Sequence, residues 1–255
     1  MLSVVGLSHQ NAPIEIRERI AISAERLADA TKAMLLRPEI AEVMILSTCN
    51  RVEIFGAAAS YADRDGSKVL HLLQDCLLQT VAASDRPLVA RHLFQFTGDS
   101  AVRHLFRVAS SLDSLVVGEP QILGQVKDAF ERASSLGAIG RFLGRAVEGS
   151  LHAAKRVRSE TLIGAGSVSV ASVAVELASQ IFGDLDGRLV ALIGAGEMAE
   201  TAAKSLTCSG ANLLVVNRNL ARAEALASRF HGRARPWSDL ELALIDSDVV
   251  IASTS

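Results

Sequence analysis

The sequence predicts an α/β protein in two parts: an α+β module over residues 1–160 and a doubly wound parallel sheet begun over 161–255. Three observations point there. Apolar side chains make up 49% of 255 residues, enough for a real core in one large domain or two ordinary ones. Strand-like and helix-like segments mix irregularly through the first part. In the second, an apolar strand, a Gly-x-Gly turn, a helix and another apolar strand succeed one another within about thirty residues, the pattern of a Rossmann-type unit.

Residues 2–7 and 43–55 alternate or cluster their apolar side chains as strands do, with Val43-Met44-Ile45-Leu46 as a buried run. Residues 24–36 read as a helix presenting Leu27, Ala30, Thr31, Met34 and Leu35 on one face. Residues 67–81 repeat that pattern with Val69, Leu70, Leu73, Leu77 and Leu78. Residues 95–99 mark a turn, and Ser100 to Ser110 is helical. Gly118-Glu119-Pro120 breaks the chain before a helix from Gln121 to Ser135, since proline is tolerated where a helix begins. Arg141 to Glu160 is helical and basic, and the domain boundary is placed near Glu160-Thr161. Beyond it come a helix from Ser167, a strand at Arg188 to Ile193, the turn Gly194-Ala195-Gly196 and a helix from Glu197 to Ser209. Strands at Asn212 to Val216 and Asp248 to Ala252 complete the expected parallel set.

The net charge of -2, from 26 basic and 28 acidic side chains, gives no global attraction to nucleic acid. DNA is therefore not an expected partner, and any RNA contact must come from a local patch. Arg141, Arg145 and Lys155 offer one such patch, or simply a solvated helical face; Arg17 and Arg19 offer a second. Cys49, Cys76 and Cys208 lie far apart with no Cys-x-x-Cys, so neither a metal site nor a disulfide framework is expected. No apolar run reaches the roughly eighteen residues of a membrane span. The amino end runs straight into a strand without the charged start of an export signal, and a cytoplasmic protein is expected.

Chemistry concentrates at Ser47-Thr48-Cys49-Asn50-Arg51-Val52-Glu53. A cysteine just past a strand end, two residues from an arginine, suggests an activated thiol, because a guanidinium stabilises the nucleophilic thiolate. Free cysteines are often buried and inert. Here Thr48, Asn50, Arg51 and Glu53 would all need partners in a dry core, which argues against burial. Ile-Gly-Ala-Gly occurs at 163–166 and at 193–196. The second copy leaves a strand and enters a helix, so Gly194, Ala195 and Gly196, with Glu197 and Met198 behind them, suit a pyrophosphate at a helix N-terminus. The third glycine of the fingerprint is Ala199. The first copy follows no strand and reads as a joint. Asn217-Arg218, with Arg222 a turn later, stands where an acidic residue would select NAD, so NADPH is the expected cofactor.

These segments resemble the glutamyl-tRNA reductase family. Ser47 to Glu53 looks like its active-site segment, Gly6-Leu7-Ser8-His9-Gln10-Asn11-Ala12-Pro13 like its first strand and turn, and Ser111 to Lys127 like its longest motif. The resemblance implies that Cys49 attacks the ester of glutamyl-tRNA(Glu), forms a thioester and releases the tRNA. Hydride from NADPH then yields glutamate-1-semialdehyde, the first step of tetrapyrrole (porphyrin) biosynthesis from glutamate. Thr48 and Arg51 match family positions that bind the glutamyl group, and Ser114 and Glu119 would complete that pocket. His104 matches a histidine near the cysteine, for proton transfer or orientation only. Gln125 could line the pocket or be plain surface, Thr254 would touch the cofactor, and His9 would shape the loop over the site. The family implies a homodimer and a complex with the following aminotransferase. It also carries further strands and a helical dimerisation domain, so a chain ending at Ser255 reads as a truncated member. An ordinary dehydrogenase using Cys49 on another acyl or aldehyde substrate would turn over without tRNA. An inactive or half-active tRNA- or partner-binding fragment would bind tRNA without oxidising NADPH.

Overall fold

The computed structural model describes residues 1–59, 65–163 and 170–253. Two compact units divide the chain, Met1–Ala165 and Gly166–Ser255. In the first, strands β1 (Leu2–Ser8), β2 (Ile40–Ser47), β3 (Arg51–Ala58) and β4 (Phe94–Thr97) form one sheet in the order β2-β3-β1-β4. Every neighbouring pair in it is antiparallel. Helices α1 (Ile14–Ile20), α2 (Ala24–Leu35), α3 (Ser67–Gln79), α4 (Arg86–Ala90), α5 (Gly98–Ala109), α6 (Gln121–Ser135) and α7 (Arg141–Glu160) surround the sheet. Val4, Met44, Ile54, Phe55, Leu73, Leu105 and Val126 meet in its core.

The strand-like stretch 43–55 turns out to be two strands. The chain reverses at Thr48-Cys49-Asn50, where the Thr48 hydroxyl accepts from the backbone N–H groups of Asn50 and Arg51, both at 3.2 Å. A hydroxyl that mimics a turn carbonyl lets the chain fold back without glycine or proline. Residues 95–97 were expected in a turn but lie in edge strand β4; Gly98, at φ +56°, makes the turn and opens α5. Helix α1, which follows Pro13, was not foreseen. Central strands β1 and β3 come unusually close at Gly6, which pairs with Glu53. A Cβ on Gly6 would lie 2.4 Å from the Val52 carbonyl oxygen.

Helix α7 starts on a carboxylate. Glu42, buried on β2, accepts from the N–H groups of Phe142 at 3.0 Å and Leu143 at 2.7 Å. Those donors would otherwise be orphaned at the helix start, and the negative charge faces the positive end of the helix.

The second unit holds β5 (Leu189–Ile193), β6 (Asn212–Asn217), β7 (Arg233–Pro236) and β8 (Val249–Ala252), all parallel, in the order β7-β6-β5-β8. Numbered within the unit this is 3-2-1-4, the arrangement of a dinucleotide-binding half. Helices α8 (Val170–Phe182), α9 (Glu197–Cys208) and α10 (Leu220–Arg229) cover one face, packed through Val175, Ala202, Leu206 and Leu226 onto Leu192, Leu213 and Val215. Helix α11 (Leu240–Asp246) covers the other through Ala243 on Leu214 and Val216. The copy at 164–166, the helix start at Ser167 and Thr254 lie outside the described residues. Among the described residues no helix is long and apolar enough to cross a membrane.

Candidate active site

Cys49 sits exposed at the apex of the β2–β3 reversal. The protein mass around its thiol pushes the pKa above the ordinary cysteine value, and the Glu119 carboxylate pushes it further. A backbone hydrogen bond and the Arg17 guanidinium offset part of this. The thiol is therefore not primed by Arg51, as the sequence suggested, because that guanidinium is committed elsewhere. Arg51 is only 2% exposed. It donates from Nη1 to Glu53 Oε1 at 2.6 Å and from Nη2 to the Asp113 carbonyl at 2.5 Å. Arg51 and Glu53 were expected outside a dry core but are both buried: two residues apart on β3, they share a face and partner each other.

Glu53 is the hub. Its second oxygen lies 3.2 Å from His104 Nε2 on α5. Burial pushes the Glu53 carboxyl up, but Arg51 and His104 outweigh it and hold the pKa below the ordinary value. The His104 ring is boxed by Phe94 and Phe96, with centroids 4.8 and 5.2 Å away. It is neither a plain core histidine nor a free one: an edge-strand aromatic pair packs on its ring and a carboxylate oxygen lies against one nitrogen.

The loop between α5 and α6 closes over this network. Ser111, at φ +60°, is pinned in the left-handed region by its hydroxyl, which donates to the Glu119 carbonyl at 2.6 Å. Gly118, at φ +87°, donates to the Ser111 carbonyl at 3.1 Å. Asp113 is held by a two-bond fork from Arg107, with Nη2 to Oδ1 at 2.6 Å and Nε to Oδ2 at 3.0 Å. Burial raises the Asp113 carboxyl, yet Arg107, His104 and Arg51 carry it below the ordinary value. Burial pushes the Glu119 carboxyl up, and the Ser114 hydroxyl and the Arg51 charge offset only part of that. The Ser114 hydroxyl oxygen is itself fully buried.

Arg51 and His104 thus meet through Glu53, while Cys49 faces Glu119 and Glu119 faces Ser114 and Arg51, with Thr48 building the turn. Gln125 is half-buried on α6 and joins none of these bonds. His9 donates its backbone N–H to the Asn50 carbonyl at 2.9 Å. Burial, Arg51 and Arg17 lower its pKa, and Asp113 offsets part of this. A cleft of about 430 Å³ opens beside the network, lined by Arg51, His104, Arg103, Phe96, Gln10 and Asn11 among others.

In the second unit, Gly194 follows β5 at φ +117° and donates to the Val216 carbonyl at 2.8 Å. Gly196 is the N-cap of α9, and a Cβ built on it would meet nothing within 4 Å. The backbone there is open to a close-approaching phosphate. Ala199 is fully buried, which seats α9 against the sheet. Asn217 ends β6, and Arg218 and Arg222 are exposed beyond it. These residues fit a dinucleotide. Of the basic candidates, Arg141, Arg145 and Lys155 are exposed along α7. Arg19 pairs with Asp85, Arg156 with Glu160, and Arg17 and Arg158 bond backbone carbonyls.

A family profile described as glutamyl-tRNA(Glu) reductase, N-terminal domain, matches residues 5–161. The chain belongs to the glutamyl-tRNA reductase family. A second profile, described as shikimate/quinate 5-dehydrogenase, matches residues 176–255. A glutamyl-tRNA reductase of Sorangium cellulosum is 50% identical over 98% of this chain and 50% of its own length. One from Syntrophotalea carbinolica is 46% identical over 99% of this chain and 56% of its own. The solved glutamyl-tRNA reductase of Methanopyrus kandleri is 35% identical, with a TM-score of 0.59 over 100% of this chain and 58% of that one. The chain spans about half the length of the curated relatives it matches. In this glutamyl-tRNA reductase family member, sequence reasoning left Glu53, Asp113 and Arg107 unassigned, and Arg17, read as part of an RNA-contact patch, instead bonds the Cys49 turn. Charged residues at alternate positions of an apolar strand, Arg51 and Glu53, were the one signal that could have pointed to a buried pair.

Proposed function

We propose that this chain carries out the NADPH-dependent reduction of glutamyl-tRNA(Glu) to glutamate-1-semialdehyde, with release of the tRNA. The observation that carries this is an exposed cysteine at a strand reversal, backed by a buried Arg51–Glu53–His104 network, in a chain of this family. Cys49 sulfur attacks the ester carbonyl of the glutamyl group. A C–S bond forms, the C–O bond to the ribose breaks, and the tRNA hydroxyl leaves with a proton. Burial and Glu119 raise the pKa of the resting thiol, so its proton is taken up as the bond forms, and the carboxylate that faces it is Glu119.

Arg51 lines the cleft and would meet the side-chain carboxylate of the glutamyl group as a cation shared with Glu53. With Nη1 and Nη2 already anchored, its direction is set before substrate arrives. Thr48 shapes the turn, and Ser114 and Glu119 form the wall that meets the rest of the amino acid. Gly194, Ala195, Gly196, Glu197 and Met198 would hold the cofactor's pyrophosphate, and Asn217 and Arg218 its adenosine ribose and 2′-phosphate. When bound, NADPH supplies the hydride that reduces the acyl group. Arg141, Arg145 and Lys155 are the exposed cations available to tRNA phosphates.

The test is NADPH oxidation followed spectrophotometrically with glutamyl-tRNA, with free glutamate, and with the Cys49→Ser variant. Oxidation is expected only with glutamyl-tRNA and only with the cysteine present. Turnover without RNA would instead support a dehydrogenase acting on another acyl substrate.

A further inference from the structure

We propose that Arg17 is a positioning residue for Cys49: from helix α1 its guanidinium clamps the apex of the β2–β3 reversal and so fixes where the thiol points and what charge it faces. The inference rests on the reading of Cys49 as the nucleophile and adds to it a residue outside the active-site motif. Arg17 Nη1 donates to the Cys49 carbonyl at 2.5 Å and to Asn50 Oδ1 at 3.1 Å. Its Nε donates to the Ala12 carbonyl at 3.3 Å. One planar group thereby ties the segment after β1 to the two apical residues of the turn. Arginine suits this task because its rigid fork reaches several acceptors at once, which a lysine ammonium cannot do with the same geometry.

The other side of the turn is already fixed, by the Thr48 hydroxyl within it and by the His9 N–H on the Asn50 carbonyl. Arg17 completes the set and holds the peptide that carries the thiol. It also brings a positive charge to the sulfur. The charged groups that face Cys49 are Arg17 from α1 and Glu119 from the loop before α6, and they act in opposite directions on the thiol. Without Arg17, burial and Glu119 would act unopposed but for one backbone hydrogen bond. The turn would also lose its only anchor to α1 among these bonds.

Two readouts on the full chain test this. The first is the pH profile of iodoacetamide alkylation, read by mass spectrometry on the peptide holding Cys49 so that exposed Cys208 does not contribute. The second is the single-turnover rate of label transfer from glutamyl-tRNA to protein. In Arg17→Ala, the alkylation midpoint is expected to move to higher pH and label transfer at pH 7 to slow about ten-fold or more. In Arg17→Lys, the midpoint should stay near the native one while label transfer still slows, because the charge remains and the fork is lost. A native midpoint in Arg17→Ala, even with slower transfer, would reduce Arg17 to a structural residue and overturn the proposal. So would a native transfer rate in Arg17→Lys, which decides the matter if the alanine variant does not fold. Transfer that persists in Cys49→Ser would sink the nucleophile reading instead, and the alkylation profiles, which need no RNA, keep the two failures apart.

Discussion

Glu53 is a buried carboxylate with two cationic or titratable neighbours in the site. It is fully buried and serves Arg51 and His104 at once. Replacing it with glutamine leaves the Arg51 guanidinium buried against a neutral amide, and breaking a buried pair in this way costs about 3–5 kcal/mol. Equilibrium urea unfolding of Glu53→Gln should show a loss of that order. The pH dependence follows from the direction of the shift. The folded pKa of Glu53 lies below its ordinary value of 4.5, so its contribution is complete above that pH and is lost as pH falls through the folded value. Asp113, also depressed, acts with the same sign. The native chain should therefore lose stability steeply on acidification below about pH 4.5, and Glu53→Gln should lose it more gradually. Equal slopes in melting experiments from pH 7 to 3 would contradict the assignment.

At the scale of elements, two helix starts are built by different means. Helix α7 is capped from outside by Glu42, which satisfies two N–H groups. Glu42→Ala is expected to cost about 1–3 kcal/mol, since two buried donors would be orphaned and the charge at the helix start removed. Calorimetry would check this, and an unchanged transition would mean that water replaces the carboxylate. Helix α9 is left open at Gly196, as a phosphate site requires. Beyond β6, Arg218 is exposed and is the residue proposed to meet a 2′-phosphate. Arg218→Ala should weaken NADPH binding about ten-fold or more by fluorescence titration while leaving NADH nearly unchanged; equal losses would remove that role. The helices were legible because their apolar periodicity is long and uninterrupted, as in α2, α3 and α6. Edge strand β7, Arg-Ala-Arg-Pro, has no apolar run to announce it. The reversal at Thr48 was hidden because apolar residues continue on both sides and the turn uses a hydroxyl instead of glycine.

For the whole molecule, the residues proposed for the thioester step and those proposed for the cofactor lie in different units. The thiol and its carboxylate network lie in Met1–Ala165, and the glycine turn lies in Gly166–Ser255. Much of the site was readable as separate motifs: Cys49, the Gly118-Glu119-Pro120 break and Gly194 to Gly196 stand out by residue type and context. What could not be read was how they join. Arg51, His104 and Asp113 are far apart in sequence, and nothing local says that one guanidinium holds a carbonyl 62 positions away. Nor could the motif reveal that Arg51 faces inward to Glu53 while Arg17, from another helix, is the cation beside the sulfur.

The most direct measurement is a single-turnover reaction with glutamyl-tRNA labelled on the glutamyl group, quenched in acid and assayed for protein-bound label, with and without NADPH. Label should attach to the protein without NADPH, vanish in Cys49→Ser, and be chased to an aldehyde when NADPH is present. Label that persists in Cys49→Ser, or a folded native chain that never takes it up, would contradict a mechanism through the Cys49 thioester.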